Sequence, residues 1–182
     1  MIDEKKLLCA FIYSAYESGY CGLLLNKTTR EQHKKLYREY IETEKDFPER
    51  EISQTQRTII RLINSQGVRE YIYKEHFNLV ISRIIKETKI SLEKIKEDPF
   101  LLRNALSCPI NYYKILSRKK TEIRGKNIIL GNKTTIKLLP GLERPNIGDI
   151  VSGHWSFMLE IMDQEQLKKY LPFAQKYYSQ FK

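Results

Sequence analysis

Two residues in the C-terminal half of the sequence are candidate metal ligands, Cys108 and His154. Cys108 follows a helical stretch and precedes a strand, where a thiol can be partly exposed and can bind a soft or borderline metal as a thiolate. Period-2 alternation places His154 with Ile150 and Ser152 on one face of a second strand. Imidazole is a common metal ligand. From these residues alone the structural alternatives stay open: a small core residue at Cys108 and a hydrogen-bonded barrel histidine at His154.

Cys21 is a candidate additional ligand, because the glycines on both sides of it permit close approach of the backbone. The alternative is a tight turn between two helices. The three histidines, His33, His76 and His154, share no metal-ligand spacing. Phosphate-binding loops, GxSxG, HExxH and CxxC are all missing. We therefore expect no enzyme, since a catalytic interpretation would rest only on Cys108 as nucleophile and His154 as base.

Length and composition restrict the class of protein. The chain has 182 residues, of which 41% are hydrophobic, so it can bury the core of one domain or of one domain with a small partner. Its apolar runs are far shorter than a membrane-spanning helix, and its N-terminus does not follow the pattern of a signal peptide. An odd number of widely spaced cysteines favours reduced thiols. We expect a cytoplasmic protein that makes no membrane contact.

The character of the sequence changes near residue 105. Before it, glycines are scarce and apolar residues recur at helical spacing, as at 7–15, 59–63 and 68–85. After Cys108, short apolar runs at 110–116, 127–130, 134–139 and 147–157 are divided by turn residues. Asp163 and Gln166 then form a capping box before a last helix. We predict an α+β protein, with an all-helical domain at 1–105 and a small OB-like β-barrel with a closing C-terminal helix at 106–182.

Positive charge is concentrated in the second unit. Residues 1–105 hold 19 Lys and Arg against 16 Asp and Glu, whereas residues 106–182 hold 13 against 6. The candidate contacts for an acidic partner or for phosphate are Arg118, Lys119, Lys120, Arg124 and Lys126. A nucleic-acid-binding protein is the alternative function, using either an OB-like barrel with Tyr112 and Tyr113 as stacking residues or a winged helix. A solvated lysine-rich face is the third interpretation.

The C-terminal unit resembles the HypC/HupF-type hydrogenase maturation chaperones. That family carries Cys-x-x-Ile-Pro-Gly-Lys-Val, and this sequence keeps Cys108, Lys114 and an aliphatic Ile115, with Tyr112-Tyr113 in place of Pro-Gly. It also carries Gly-Asp-x-Val-x-x-His-x-Gly-Phe. The residues that match this second motif are Gly148, Asp149, Val151, His154 and Phe157.

The resemblance implies a function as well as a fold. In that family the cysteine and the histidine help to hold iron transiently, together with a partner maturation protein, before delivery to the hydrogenase large subunit. Cys108 and His154 would be these ligands. The whole chain more faintly resembles an uncharacterised prokaryotic family associated with hydrogenase genes, through Gly19-Tyr20-Cys21-Gly22 and residues 148–155. We therefore expect a chaperone-like accessory protein that acts through protein–protein contacts.

Overall fold

The computed structural model describes residues 2–18, 27–55 and 67–181. The N-terminal part of this range is helical, as predicted. The helices are α1 (Glu4–Glu17), α2 (Lys27–Thr43), α3 (Glu49–Thr55), α4 (Val68–Glu70), α5 (His76–Thr88), α6 (Leu92–Glu97) and α7 (Pro99–Ser107). The predicted apolar stretch 59–63 lies outside the described residues. Within the described ranges, no helix combines the length and the apolar character needed to cross a membrane.

Helix α1 lies at the centre of the molecule. Asp3 caps its N-terminus by accepting from two backbone N–H groups. Nearly every residue from Leu7 to Tyr16 is buried, so the helix is covered on several sides. It packs against α2 and α4 and against two strands that come more than 130 residues later. Such a helix can present a polar side chain to the barrel in a setting without water.

A π-helical stretch, Tyr71–Glu75, connects α4 to α5 without a break. A π-helical turn inserts a residue into the helix and changes the direction of the side chains that follow, and such turns are frequent at functional sites. The first residue of α5 after this turn is His76. The stretch therefore fixes where the His76 ring points.

The second half forms a closed barrel of five strands followed by a helix, so the α+β prediction is confirmed. The strands are β1 (Asn111–Arg118), β2 (Glu122–Asn127), β3 (Lys133–Lys137), β4 (Ile150–His154) and β5 (Phe157–Ile161), and the final helix is α8 (Gln164–Ser179). The order around the barrel is β1-β2-β3-β5-β4. Only the β3–β5 pair is parallel among these pairings. The capping box of Asp163 and Gln166 is present at the start of α8.

The predicted strand at 127–130 is wrong, because β2 ends at Asn127. The buried Asn127 side chain accepts from the backbone N–H groups of Ile129 and Leu130 at 2.9 and 3.0 Å, which turns the chain. In β2 the buried positions are Ile123, Gly125 and Asn127, and polar residues alternate with them. Only one of the three buried residues is a large apolar residue, so the sequence does not show the apolar alternation expected of a strand.

Strand β4 separates two apolar cores. Val151 packs inside the barrel with Ile115, Ile136 and Met158. The opposite face of the strand, with Ser152 and His154, is also fully buried and faces the helices. The predicted alternation along this strand is therefore confirmed, with both faces of the strand covered.

A buried polar network joins the helices to the barrel on the same side. Glu160 on β5 accepts from Arg69 at 2.9 Å and from the Tyr73 hydroxyl at 2.8 Å. The Tyr73 hydroxyl also lies 2.8 Å from the Ser152 hydroxyl. Because each group has partners, the network fixes the register between the π-helical stretch and strands β4 and β5.

Candidate metal centre

Three side chains from three separate parts of the chain converge where the helices meet the barrel. His76 begins α5, Cys108 follows the last residue of α7, and His154 ends β4. One potential ligand atom from each of them lies within 4.8 Å of the others. His154 is fully buried, whereas His76 and Cys108 are partly exposed.

The ring of His154 is held in place by α1. Phe11 stacks on it, with ring centroids 4.4 Å apart and an angle of 22° between the planes. Nδ1 of His154 lies 2.7 Å from the Ser14 hydroxyl and 3.3 Å from the Phe11 carbonyl oxygen. The Ser14 hydroxyl itself donates to that same carbonyl at 2.7 Å.

These contacts determine which ring nitrogen carries the proton. The single Ser14 proton is directed to the Phe11 carbonyl, so the Ser14 oxygen is left to accept a hydrogen bond. The carbonyl oxygen can only accept as well. Both contacts are hydrogen bonds together only in the tautomer with a proton on Nδ1 of His154, and that tautomer leaves a lone pair on Nε2.

Nε2 of His154 is buried and makes no hydrogen bond. Nδ1 of His33 and the hydroxyls of Tyr16 and Tyr112 share this status, so it does not by itself indicate a ligand. What distinguishes Nε2 of His154 is that a thiol and a second imidazole lie beside it. Burial holds the pKa of His154 well below its ordinary range and the neighbouring His76 lowers it further, whereas the nearby backbone groups of Phe11 and Cys108 raise it by less. The ring is therefore neutral at physiological pH, with an available lone pair, which is the state that binds a metal.

Cys108 and His76 complete the cluster. Nε2 of His76 lies 3.9 Å from Sγ of Cys108 and 3.3 Å from the Cys108 carbonyl oxygen. The His76 ring also stands edge-on to the His154 ring, with centroids 5.6 Å apart. The thiol sits at the end of α7, where the Cys108 N–H still bonds the Asn104 carbonyl at 2.9 Å. Its position is therefore set by the last helical turn.

The geometry fits a tetrahedral metal after a small adjustment. Ligand atoms that lie about 2.0–2.3 Å from such an ion stand about 3.3–3.8 Å from one another. The 3.9 Å pair of His76 and Cys108 is close to this spacing. The other separations are at most 4.8 Å and must shorten by up to about 1 Å. Two imidazoles and one thiolate suit zinc, iron, cobalt or nickel better than calcium or magnesium, which prefer oxygen ligands. Three protein ligands leave a fourth coordination position open.

The structure brings together two of the residues predicted from sequence, Cys108 and His154, and adds His76. Cys21, the additional candidate, lies outside the described residues. His76 was missed because spacing along the chain carries no information about ligands drawn from a helix and a distant strand. One signal was available: His76 interrupts the apolar helical pattern between Ile72 and Phe77, at a position where a histidine needs a polar partner.

The predicted basic residues lie elsewhere, on β1, β2 and the turn between them. Exposed members are Arg118, Lys119, Lys120, Arg124 and Lys126. In contrast, Tyr112 and Tyr113 are 0% and 5% exposed, because both pack into the cores. They therefore cannot serve as the stacking residues predicted for the nucleic-acid alternative.

Comparisons of the chain with protein-family models, with curated proteins and with solved structures found no match.

Proposed function

We propose that this protein is a metal-binding accessory protein of the hydrogenase maturation type, which carries one iron ion on His76, Cys108 and His154. The observation that carries the proposal is the buried, unbonded Nε2 of His154 within a cluster whose three donors lie within 4.8 Å. A free imidazole nitrogen beside a thiol and a second imidazole is the donor set of a borderline metal.

The motif resemblance makes iron the proposed cargo and hydrogenase maturation the proposed setting. The five-stranded barrel agrees in strand number and closure with an OB-like barrel, the fold that the resemblance implies. The partners would be maturation proteins or the hydrogenase large subunit, in the cytoplasm. The open coordination position on the partly exposed side is where a partner's ligand would reach the ion.

The helical unit has a specific role in this proposal. His76 contributes a ligand from α5, and α1 supplies the groups that fix the His154 tautomer. The helices would therefore do more than offer a docking surface, since they supply one ligand and orient another. Binding through Nε2 of His76 would move its proton, which bonds the Cys108 carbonyl, to Nδ1, and Cys108 would bind as a thiolate after losing its proton. Metal affinity should therefore fall at low pH.

Metal binding is tested by anaerobic calorimetric titration of chelator-treated protein with Fe²⁺, followed by metal analysis. We expect one ion per chain, with binding lost in Cys108→Ala and weakened in His76→Ala and His154→Gln. The chain offers matched controls, because Cys9 and His33 are outside the cluster. Cys9→Ala and His33→Asn should bind as the wild type does. Unchanged binding in Cys108→Ala, or equal loss in Cys9→Ala, would contradict the proposed site.

The maturation role needs a separate experiment. Affinity isolation from anaerobic prokaryotic cells that make a hydrogenase should recover a maturation protein or the large subunit with the wild type. Cys108→Ala should recover less of either protein. Recovery of neither protein by the wild type would contradict the maturation role. It would not contradict the metal site, which the titration with Fe²⁺ tests separately.

A further inference from the structure

The outer face of strands β1, β2 and β3 carries a concentration of positive charge that the metal centre does not use. Residues 111–137 contain eight Lys and Arg and a single acid, Glu122. Their net charge of +7 equals the whole excess of residues 106–182, which hold 13 basic and 6 acidic residues. The rest of that unit is therefore neutral, and the charge belongs to one face of the barrel.

Three lysines stand in a row across this face. Lys114 pairs with Lys126 between β1 and β2, and Lys126 pairs with Lys133 between β2 and β3. All three are exposed. Residues directly opposite on neighbouring strands have Cβ atoms about 5 Å apart, and like charges there destabilise a sheet. An arrangement that costs stability and is unrelated to the core points to a ligand that neutralises it.

A groove of about 540 Å³ lies beside the row. Four cations and one acid, Glu122, line it together with hydroxyl groups. The cations are Arg118, Lys119, Arg124 and Lys133, and the hydroxyls are those of Ser117, Thr134 and Thr135. Within the part of the chain that the structure describes, none of these four cations forms an ion pair. The Arg118 guanidinium donates to the Pro145 carbonyl at 3.3 Å, which holds it at the edge of the groove.

We propose that this face binds nucleic acid through its phosphates, without reading the bases. Arginine, lysine, serine and threonine side chains are the groups that contact phosphate oxygens in such complexes. The aromatic side chains of β1 are buried, so a stacking platform is missing from this strand and affinity must come from charge. The phosphates of a nucleic acid are closely and evenly spaced, which suits a face that carries a row of cations and a single acid. An acidic protein segment carries its negative charges less densely and suits this face less well.

The test is fluorescence anisotropy of a short labelled duplex of mixed sequence, titrated with the full chain at a series of salt concentrations. Four phosphate contacts predict a slope of log K against log salt of about −3.6. Arg124→Gln with Lys133→Gln should bring this slope to about −1.8 and weaken binding at about 50 mM salt about a hundredfold. The matched control is Lys168→Gln with Lys176→Gln on α8, which removes the same charge from exposed positions elsewhere and should bind nearly as the wild type does.

Three results would overturn the proposal: no salt-dependent binding at low salt, equal loss in the α8 control, or tighter binding of polyglutamate of matched charge than of the duplex. The last result would assign the face to an acidic protein. All four substituted positions are exposed, and circular dichroism checks that the variants fold. The proposal is independent of the metal centre, and Cys108→Ala should bind the duplex as the wild type does.

Discussion

The hydroxyl of Ser14 lies 2.7 Å from Nδ1 of His154, although 140 residues separate the two in the chain. Ser14 is on the central helix and His154 is at the end of a barrel strand, so the contact crosses the junction between the two halves of the protein. Because Ser14 donates to the Phe11 carbonyl, it accepts from His154 and leaves Nε2 as the only nitrogen that can bind a metal. A serine in the helical unit thus controls the chemistry of a histidine in the barrel.

Ser14→Ala should therefore weaken metal binding although Ser14 does not contact the metal. The substitution removes the nearer acceptor of the Nδ1 proton and leaves only the Phe11 carbonyl at 3.3 Å. Loss of such an outer partner typically costs about 10–100-fold in metal affinity. Calorimetric titration with Fe²⁺ measures the change, and nitrogen NMR of the His154 ring reports the tautomer directly.

The same helix supplies a control for this prediction. Ser18 makes the same kind of hydrogen bond, donating to the carbonyl of the residue three positions earlier, Ala15, at 2.6 Å. Ser18→Ala removes a serine hydroxyl near the helix end and should leave metal affinity within about twofold of the wild type, since it does not orient a ligand. Equal affinities for Ser14→Ala and Ser18→Ala would refute the positioning role of Ser14.

Metal binding should also stabilise the fold, because the three ligands come from α5, the end of α7 and β4. A metal at about 100 times its dissociation constant adds about 2.7 kcal/mol to the free energy of unfolding. Thermal unfolding with and without Fe²⁺ measures this, and removal by a chelator should reverse it. Cys108→Ala should show no such shift, whereas a shift of the same size in that variant would mean that the ion binds elsewhere.

The general architecture could be predicted from sequence because its signals are local. The capping box at Asp163 and Gln166, and the alternation that puts Ser152 and His154 on one face, depend only on neighbouring residues. The end of β2 could not be predicted, because the side chain of Asn127 ends the strand through a turn, whereas apolarity alone extends it through residues 128–130.

Two of the three residues of the candidate site could be predicted from the sequence, for a related reason. The motif around Cys108 and His154 is visible in sequence, but His76 joins them only through tertiary packing and the π-helical turn before it. The contact between Ser14 and His154 likewise exists only in the folded chain and could not be predicted from the sequence. Ligands that come from distant segments leave no spacing pattern, so only the folded chain reveals them.

Loss of Glu160 should be among the most destabilising single changes on the barrel. The Glu160 side chain is 2% exposed and the Arg69 side chain 13% exposed. Removing the carboxylate leaves a largely buried guanidinium that keeps the Ile2 carbonyl as an acceptor and Glu4, at 3.6 Å, as a counter-charge. Breaking such a pair costs about 3–5 kcal/mol. Urea unfolding of Glu160→Ala measures this cost. Glu143→Ala, at an exposed loop position, should change stability by less than about 0.5 kcal/mol.

A double variant separates the pair from the rest of the network. Arg69→Met with Glu160→Met removes both charges and should be less destabilised than the sum of the two single changes, because no charge is left buried alone. Simple additivity of the two single effects would show that the ion pair is not coupled.

Stability of the metal-free protein should fall as the pH drops below about 6.5. Burial lowers the pKa of His154 in the folded state, so the unfolded chain takes up a proton near pH 6.5 that the folded chain does not. The groups that face His154 are the Ser14 hydroxyl and the Phe11 carbonyl from α1, His76 from α5 and Cys108 from the end of α7. One such histidine contributes a slope of up to about 1.4 kcal/mol per pH unit.

Urea unfolding at a series of pH values tests this, with His154→Gln as the comparison. Burial also lowers the pKa of His33, so some pH dependence should remain in the variant. The difference between the two profiles isolates His154. Parallel profiles for the wild type and His154→Gln would mean that the pKa of His154 is the same in the folded and the unfolded chain.

Removing the central lysine of the cross-strand row should stabilise the barrel while it weakens nucleic-acid binding. Lys126 stands opposite both Lys114 and Lys133, so Lys126→Gln relieves two like-charge contacts. Cross-strand pairs of this kind are each worth about 0.2–1 kcal/mol, which predicts a gain of several tenths of a kcal/mol at low salt that disappears at high salt, where the repulsion is screened. Urea unfolding at the two salt concentrations measures the gain, and duplex titration measures the weakened binding. A Lys126→Gln variant that is less stable than the wild type at low salt would show that the three lysines do not repel one another. The repulsion would then no longer support a bound anionic ligand at this face.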